Sequence, residues 1–218
     1  MRNVSTLSAI ASLVCCELLM AHPIFAQSGT AAGQSTYPLD SLPHDQHEGM
    51  RVSVDSYSDV RRAKEKLGKA DPVPVGILPV DVFLTNSTTQ PIRIDMESIQ
   101  LSVHFPNGQR QDIDWLPVSE VARVIAHPNG PSNPHAPRFP VGVQTGADTK
   151  TDKVLEVLRP FALDVSIIPP LSTIHGLLFF DLSHDLSLAQ HASLYVPNLT
   201  SVPEKKPLMF FEVALGGS

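Results

Sequence analysis

The chain has 218 residues and a formal net charge of −6, with 6% aromatic residues and 20 prolines. This mild acidity argues against a nucleic-acid binder, which normally carries a basic domain or stripe. The low aromatic content and the many prolines favour one loop-rich all-β or α+β domain with appendages.

Residues 1–26 predict a secretory signal peptide. Arg2 precedes an apolar stretch that is too short to span a bilayer, and cleavage is expected after Ala26. Two alternatives are a retained membrane anchor and a lipid-modified Cys16. Because Cys15 and Cys16 both lie here, a mature chain would have no disulfide and no thiolate metal site. We expect a periplasmic or secreted protein without a transmembrane segment after signal cleavage.

Residues 27–48 are small, polar and aperiodic, and this composition predicts a flexible tether. Within it, residues 44–48 carry two imidazoles and two carboxylates. His44 and His47 are therefore candidate ligands for a weak divalent-metal site. The alternative is a solvated tail, because nothing in a tether would fix the geometry of a site. No cofactor is predicted.

Alternation of apolar and polar residues begins at Met50 and predicts a strand. A short helix is expected over 59–67, with Ser58 as its cap and Gly68 as its stop. Residues 77–115 predict a meander of four strands, of which the last two form a hairpin.

Two helical passages follow, one opened by Pro117 and one ended by Pro160. Residues 174–182 are apolar on both faces, which favours a central strand, and a last strand is expected over 209–215. The whole predicts residues 49–218 as a single, mainly β domain. Its expected architecture is an immunoglobulin-like β-sandwich of about seven strands with two or three short helices in the connections.

Three passages resemble uncharacterised secreted bacterial proteins with an immunoglobulin-like β-sandwich domain. They are GILPVDVFLTNSTTQPIRID (76–95), IHGLLFFDL (174–182), and the pair LYVPNL and PLMFFEVAL within 194–215. The resemblance implies a sandwich fold and an exported location. It brings no catalytic residues, and function does not follow from fold.

Residues 127–141 read HPNGPSNPHAPRFPV and place a proline at every third position. Polyproline II has three residues per turn and rises about 3.1 Å per residue, so the rings would line one edge of a rod. One interpretation is a pre-extended ligand for an aromatic groove on a partner, and the other is a stiff loop over the domain's own surface. The candidate partner-binding residues are Pro128, Pro131, Pro134, Pro137, Arg138, Phe139 and Pro140.

The sequence contains no recognisable catalytic motif, since no G-x-S-x-G is present and both cysteines lie in the leader. We therefore expect a non-catalytic binding or structural module of the cell envelope, whose partner is a protein or an envelope polymer. A periplasmic metal-binding protein using His44 and His47 is the alternative. A hydrolase built from residues scattered along the chain is the third hypothesis.

Overall fold

The structure, a computed structural model, describes residues 39–129 and 148–216. These residues are mainly β, with twelve strands in three antiparallel sheets and three α-helices in the connections. The strands are β1 (His44–His47), β2 (Met50–Ser56), β3 (Ile77–Asn86), β4 (Ile92–Arg93), β5 (Gln100–His104), β6 (Arg110–Asp114), β7 (Ile167–Ile168), β8 (Ser172–Asp181), β9 (Ala192–Val196), β10 (Thr200–Ser201), β11 (Lys206–Pro207) and β12 (Phe211–Ala214). The helices are α1 (Val60–Leu67), α2 (Val118–Ala126) and α3 (Thr149–Leu158).

The first sheet, here the long sheet, has the order β1-β2-β3-β8. Its centre is the pairing of β3 with β8, which runs without interruption from Ile77↔Asp181 to Asn86↔Ser172. The predicted central strand, β8, is instead an edge strand of this sheet. It is nevertheless buried on both faces from Gly176 to Phe180. Single bridges at Trp115↔Phe180 and Ala162↔Leu177 cover its free edge.

The second sheet, here the facing sheet, has the order β12-β9-β5-β6, and the third, the short sheet, has the order β11-β10-β4-β7. The predicted meander is therefore wrong, because β3, β4 and β5 belong to three different sheets. The predicted hairpin of β5 and β6 is confirmed. Gly108, at φ 80°, closes its turn with an amide that donates to the carbonyl of Phe105.

One apolar core lies between the long and facing sheets. Alternate residues of β2, β3 and β8 meet the inward residues of β5, β9 and β12, which is the packing expected of two half-buried sheets. The buried residues at its centre include Met50, Val52, Val80, Val82, Leu84, Phe180, Leu101, Val103, Leu194, Val196, Phe211 and Val213.

A second apolar cluster lies on the other face of the long sheet, where the helices pack. Ile77, Leu177 and Phe179 face this side. They contact buried residues of all three helices, namely Ala63, Leu67, Val121, Ala122, Val124 and Leu158. This double coverage explains why residues 77–84 and 176–180 are apolar in nearly every position.

The described residues hold twelve strands where about seven were predicted. The physical reason is length and polarity. β4, β7, β10 and β11 have two residues each, too few to show a period in the sequence. β1 is made entirely of polar residues.

The predicted tether extends over part of the described chain, and there it is structured. Residues 39–41 form a single 3-10 turn, and β1 pairs with β2 from His44↔Ser53 to His47↔Met50. The polar residues of β1 belong to a strand because the tight turn at residues 48–49 folds them back onto β2. The predicted signal peptide and residues 27–38 lie outside the described residues.

The predicted first helix is confirmed, with a different cap. The carboxylate of Asp59, and not the side chain of Ser58, accepts a hydrogen bond from the amide of Arg62 at 3.0 Å. Gly68, at φ 61°, ends the helix as predicted. Within the described residues, none of the helices combines the length and apolar character required to cross a membrane.

Candidate functional site

The outer face of the facing sheet is exposed and carries a mixed set of side chains. Strand pairing places Glu212, Tyr195, Gln100 and Asp114 in one row across the four strands. A parallel row of smaller side chains lies beside it and consists of Ala214, Ser193, Ser102 and Asp112. Because neighbouring residues of each strand point into the core, these side chains lie on the opposite face, where Glu212, Asp112 and Asp114 are exposed and Ser102 is buried.

An aromatic pair lies on this face. The rings of Tyr195 and Phe210 are 5.4 Å apart and tilted by 45°. Phe210 remains 49% exposed, and the neighbouring Met209 is 63% exposed. The guanidinium of Arg110 lies 5.6 Å from the centre of the Tyr195 ring. An exposed group of large apolar side chains with a polar rim is typical of a binding surface.

The polar groups around the aromatic pair are held in place by one another. Asp112 accepts hydrogen bonds from Ser102 at 2.7 Å and from Arg110 at 2.8 Å. The hydrogen bond from Ser102 is the main reason, and that from Arg110 the second reason, why the pKa of Asp112 lies below its ordinary value. Asp112 is therefore a carboxylate at neutral pH. Gln100 donates to Asp114 at 2.8 Å.

The remaining acidic group of this face is Glu212, whose carboxylate lies 3.6 Å from the imidazole of His104. His104 is itself exposed, at the end of β5. Together the outer face offers flat aromatic carbon surface beside fixed hydrogen-bond donors and acceptors. This combination binds molecules that present both C–H faces and hydroxyl groups.

Side chains of β1 and of the turn that follows it join the long sheet to the facing sheet. Asp45 accepts a hydrogen bond from the amide of Glu212 at 3.2 Å, and Glu48 accepts one from the amide of Met209 at 2.7 Å. His47 lies 3.1 Å from the carbonyl oxygen of Phe210 and stacks on Phe211 with ring centres 3.8 Å apart. We call these three side chains of residues 45, 47 and 48 the β1 clasp.

The two histidines predicted as metal ligands are placed apart. They are three residues apart on one strand, so they point to opposite faces. His44 lies 2.9 Å from the carbonyl of Leu42, whereas His47 belongs to the β1 clasp. No group of three or more potential ligands gathers at one point in the part of the chain that the structure describes. Metal binding stays a prediction, which calorimetry with zinc and copper ions tests.

A network of buried charges joins α1 to the long sheet. Asp55 and Asp81 are paired on β2 and β3, and both are largely buried, at 7% and 1% exposed. Arg62 donates to both oxygens of Asp55 at 2.8 Å. Lys66 donates to Asp81 at 2.9 Å, and His175 lies 3.2 Å from the same carboxylate. The network fixes α1 on the sheet.

Among the histidine–aspartate contacts within residues 39–129 and 148–216, the Asp81–His175 pair is the one with a buried carboxylate, as in a catalytic dyad. Nucleophilic catalysis would also require a hydroxyl in hydrogen-bond reach of the imidazole. No serine or threonine of the described ranges forms that bond with His175, whose ring stacks on Phe83. The hydrolase hypothesis gains no support from this pair.

The proline segment is described only at its start. Pro128 and Asn129 form a turn after α2, so an extended rod does not include Pro128. The other candidate partner-binding residues, Pro131, Pro134, Pro137, Arg138, Phe139 and Pro140, lie outside the described residues.

Sequence reasoning missed the outer face of the facing sheet. The signal that could have found it is the alternation of core and outer residues along a strand. In SLYV (193–196) and FFEVA (210–214), Tyr195 and Glu212 point away from the core residues of the same strands. The pairing of β9 with both β5 and β12 brings these positions together. The pairing of β9 with β5 joins residues about ninety positions apart, such as Gln100 and Tyr195, and leaves no local signal.

Comparisons with known proteins give little further information. No protein-family model matches the chain. No curated protein matches it either. Among solved structures, it is similar to a functionally unknown protein from Listeria monocytogenes EGD-e, at 13% identity and a TM-score of 0.33, over 79% of this chain and 81% of that chain.

Proposed function

We propose that this protein is an exported, non-catalytic module of the cell envelope that binds a polyhydroxyl polymer, such as a polysaccharide. The binding site is the outer face of the facing sheet. The observation that carries the proposal is the exposed Phe210 ring packed on the half-buried Tyr195 ring, beside the hydrogen-bonded groups of Arg110, Asp112 and Asp114.

The chemistry of the face supports a sugar polymer as its ligand. Sugar rings have apolar C–H faces that pack on aromatic rings, and hydroxyl groups that donate to carboxylates and accept from guanidinium groups. The polar groups are already held by one another, so little side-chain freedom is lost when a ligand binds. The small side chains of Ser193 and Ala214 leave room for a chain to lie along the sheet.

The charges of the face favour a neutral polymer over an anionic one. Among the paired residues of β5, β6, β9 and β12, Arg110 is the single positively charged side chain of the lysine or arginine type. It already donates a hydrogen bond to Asp112. Three carboxylates, those of Asp112, Asp114 and Glu212, share this surface. A polymer rich in phosphate or carboxylate would be repelled.

The scaffold and the location are parts of the same proposal. We propose an immunoglobulin-like sandwich of the long and facing sheets, which is supported by the apolar core that they share. Export rests on the sequence of residues 1–26. Fractionation of cells that produce the full chain, compared with a chain that lacks this segment, tests the location.

Polysaccharide binding is tested by co-sedimentation of the purified protein with insoluble neutral glycans and with peptidoglycan. We expect Tyr195→Ala and Phe210→Ala each to weaken binding by about tenfold, since each removes a stacking ring. Leu171→Ala is the matched control, because Leu171 is 72% exposed and lies outside this sheet. Equal binding by all three variants, or no binding to any glycan, would refute the proposal.

A further inference from the structure

A cavity of about 330 Å³ lies on the helix side of the long sheet. Its walls come from the connection between β6 and α2, from the segment that follows α3, and from β8. Ligand pockets in proteins range from roughly 300 to 1,000 Å³, so this one suits a small molecule. The cavity is independent of the outer face of the facing sheet.

Most of the wall is apolar. Leu163, Leu177 and Phe179 are buried and line the cavity together with Trp115. The Nε1–H of Trp115 already donates to the carbonyl of Met96 at 2.8 Å, so this polar group needs no partner from a ligand.

The backbone beside this wall is also already paired. The amide of Leu116 donates to the carbonyl of Phe179 at 2.7 Å, and the amide of Leu163 donates to that of Leu177 at 3.0 Å. A ligand therefore meets apolar surface here without breaking hydrogen bonds of the protein. Transfer of an apolar side chain into such a wall is favourable by about 25 cal/mol per Å² of buried surface.

Two opposite charges line the same cavity. Arg159 and Asp164 are both exposed, and both belong to its wall. Within the described ranges, neither side chain forms an ion pair with the other, and neither has a hydrogen-bonding side-chain partner. A free cation and a free anion beside one apolar wall match a ligand that carries both charges and an apolar group.

The start of α2 adds positive potential to the cavity. Val118 and Ser119 line it, and Pro117, at the cap position, has no side chain that could accept from their amides. The first amides of a helix carry partial positive charge and favour a carboxylate. The first amides of α2 and the guanidinium of Arg159 therefore both favour a negatively charged group in the ligand.

We propose that this cavity binds a free α-amino acid with a large apolar side chain, of the leucine or phenylalanine type. The apolar side chain packs against Trp115, Leu163 and Phe179. The carboxylate meets Arg159 and the start of α2, and the ammonium group meets Asp164. A fatty acid would leave Asp164 without a partner, and an alkyl amine would do the same to Arg159.

Calorimetry on the purified full chain tests the inference with four compounds. Leucine carries both charges, N-acetyl-leucine lacks the ammonium charge, leucinamide lacks the carboxylate, and alanine lacks the apolar side chain. We expect leucine to bind at least about tenfold more tightly than each of the other three, because each lacks one of the three contacts. Undetectable leucine binding at millimolar concentration, or equal binding of all four, would overturn the inference.

Two variants assign each charge to its residue. Arg159→Gln should weaken leucine but leave leucinamide unchanged, because leucinamide has no carboxylate to lose. Asp164→Asn should weaken leucine and leave N-acetyl-leucine unchanged. Arg93→Gln and Asp95→Asn are matched exposed controls outside the cavity and should bind leucine as the parent does. If either cavity variant binds leucine as tightly as its control, the inference is wrong.

Discussion

The ammonium group of Lys66 on α1 donates to the carboxylate of Asp81 on β3 at 2.9 Å, in a place where Asp81 is only 1% exposed. This ion pair crosses from the helices to the long sheet at the middle of β3. A buried carboxylate that loses its cation is costly, whereas an apolar replacement of both partners is often neutral. The Lys66–Asp81 pair therefore contributes more to the placement of α1 on the sheet than to the net free energy of unfolding.

We expect Lys66→Met to reduce the free energy of unfolding by about 3–5 kcal/mol, because Asp81 stays buried without its main partner. Urea denaturation measures the change. Lys64→Met, on the exposed side of the same helix, is the control and should change stability by less than about 0.5 kcal/mol. The double variant Lys66→Met, Asp81→Leu should recover part of the loss. Equal stability of the two single variants would contradict this account.

The same region makes stability depend on alkaline pH. Burial raises the pKa of Tyr57. Burial lowers the pKa of Lys66, but the charge and hydrogen bond of Asp81 outweigh it, so the pKa of Lys66 is raised. A group whose folded pKa is raised contributes stability that is complete below its unfolded pKa and is lost as pH rises through the folded value.

The contribution of these two groups to the unfolding free energy should therefore be constant up to about pH 9.5 and decline above about pH 10, where unfolded Tyr57 and Lys66 release their protons. Denaturation curves at a series of pH values measure this decline. Tyr57→Phe should make it shallower. A slope that does not change in Tyr57→Phe would show that this residue does not contribute.

Asn86 is expected to be intolerant of substitution. Its side chain is fully buried. The side-chain Nδ2 donates to the carbonyls of Gln90 at 2.8 Å and Pro169 at 3.1 Å. The side-chain Oδ1 accepts from the backbone amide of Thr88 at 2.9 Å. Asn86→Asp would place a carboxylate against those carbonyls and should cost about 3 kcal/mol or more. Urea denaturation of Asn86→Asp beside Asn198→Asp, at an exposed residue between β9 and β10, checks this; a similar cost for both would refute it.

The β1 clasp should protect backbone amides of β12 from exchange. Asp45→Ala removes the acceptor for the amide of Glu212, so that amide should exchange up to about tenfold faster, since one hydrogen bond contributes about 1 kcal/mol. Asp45→Asn keeps an acceptor oxygen and should exchange more slowly than Asp45→Ala. The amide of Leu215, bonded to the carbonyl of Ala192, serves as internal reference in hydrogen exchange measured by NMR. Unchanged exchange at Glu212 would show that the clasp does not protect it.

Gly176 allows the backbone after α3 to approach β8. A Cβ at this position would lie 2.7 Å from the Cα and amide nitrogen of Leu163, which cannot move without shifting the chain. Gly176→Ala should therefore reduce stability by about 1–3 kcal/mol. It should also weaken leucine binding in the cavity, because Leu163 and Asp164 move away from Trp115. Thr173→Ala, exposed on the same strand, is the control for both measurements, and equal behaviour of the two variants would contradict this packing.

Elements with a strong local pattern could be predicted from the sequence. β2 begins at Met50 as expected, the hairpin of β5 and β6 turns at Pro106-Asn107-Gly108, and α1 ends at Gly68. These features depend on residues a few positions apart, such as alternation, turn residues and helix stops. The two-residue strands have no such pattern, and the polar β1 was interpreted as a tether.

The candidate sites could not be predicted in the same way. Tyr195 and Arg110 meet only because β9 and β6 both pair with β5, and Trp115 and Arg159 line one cavity only because both flank β8. The sequence by itself determined a mainly β chain with an apolar core and a helix after its first long strand, because these follow from the local order of apolar and polar residues. Only the tertiary structure decided the three sheets, the outer face and the cavity, because contacts between distant strands select one pairing among many that the local pattern allows equally.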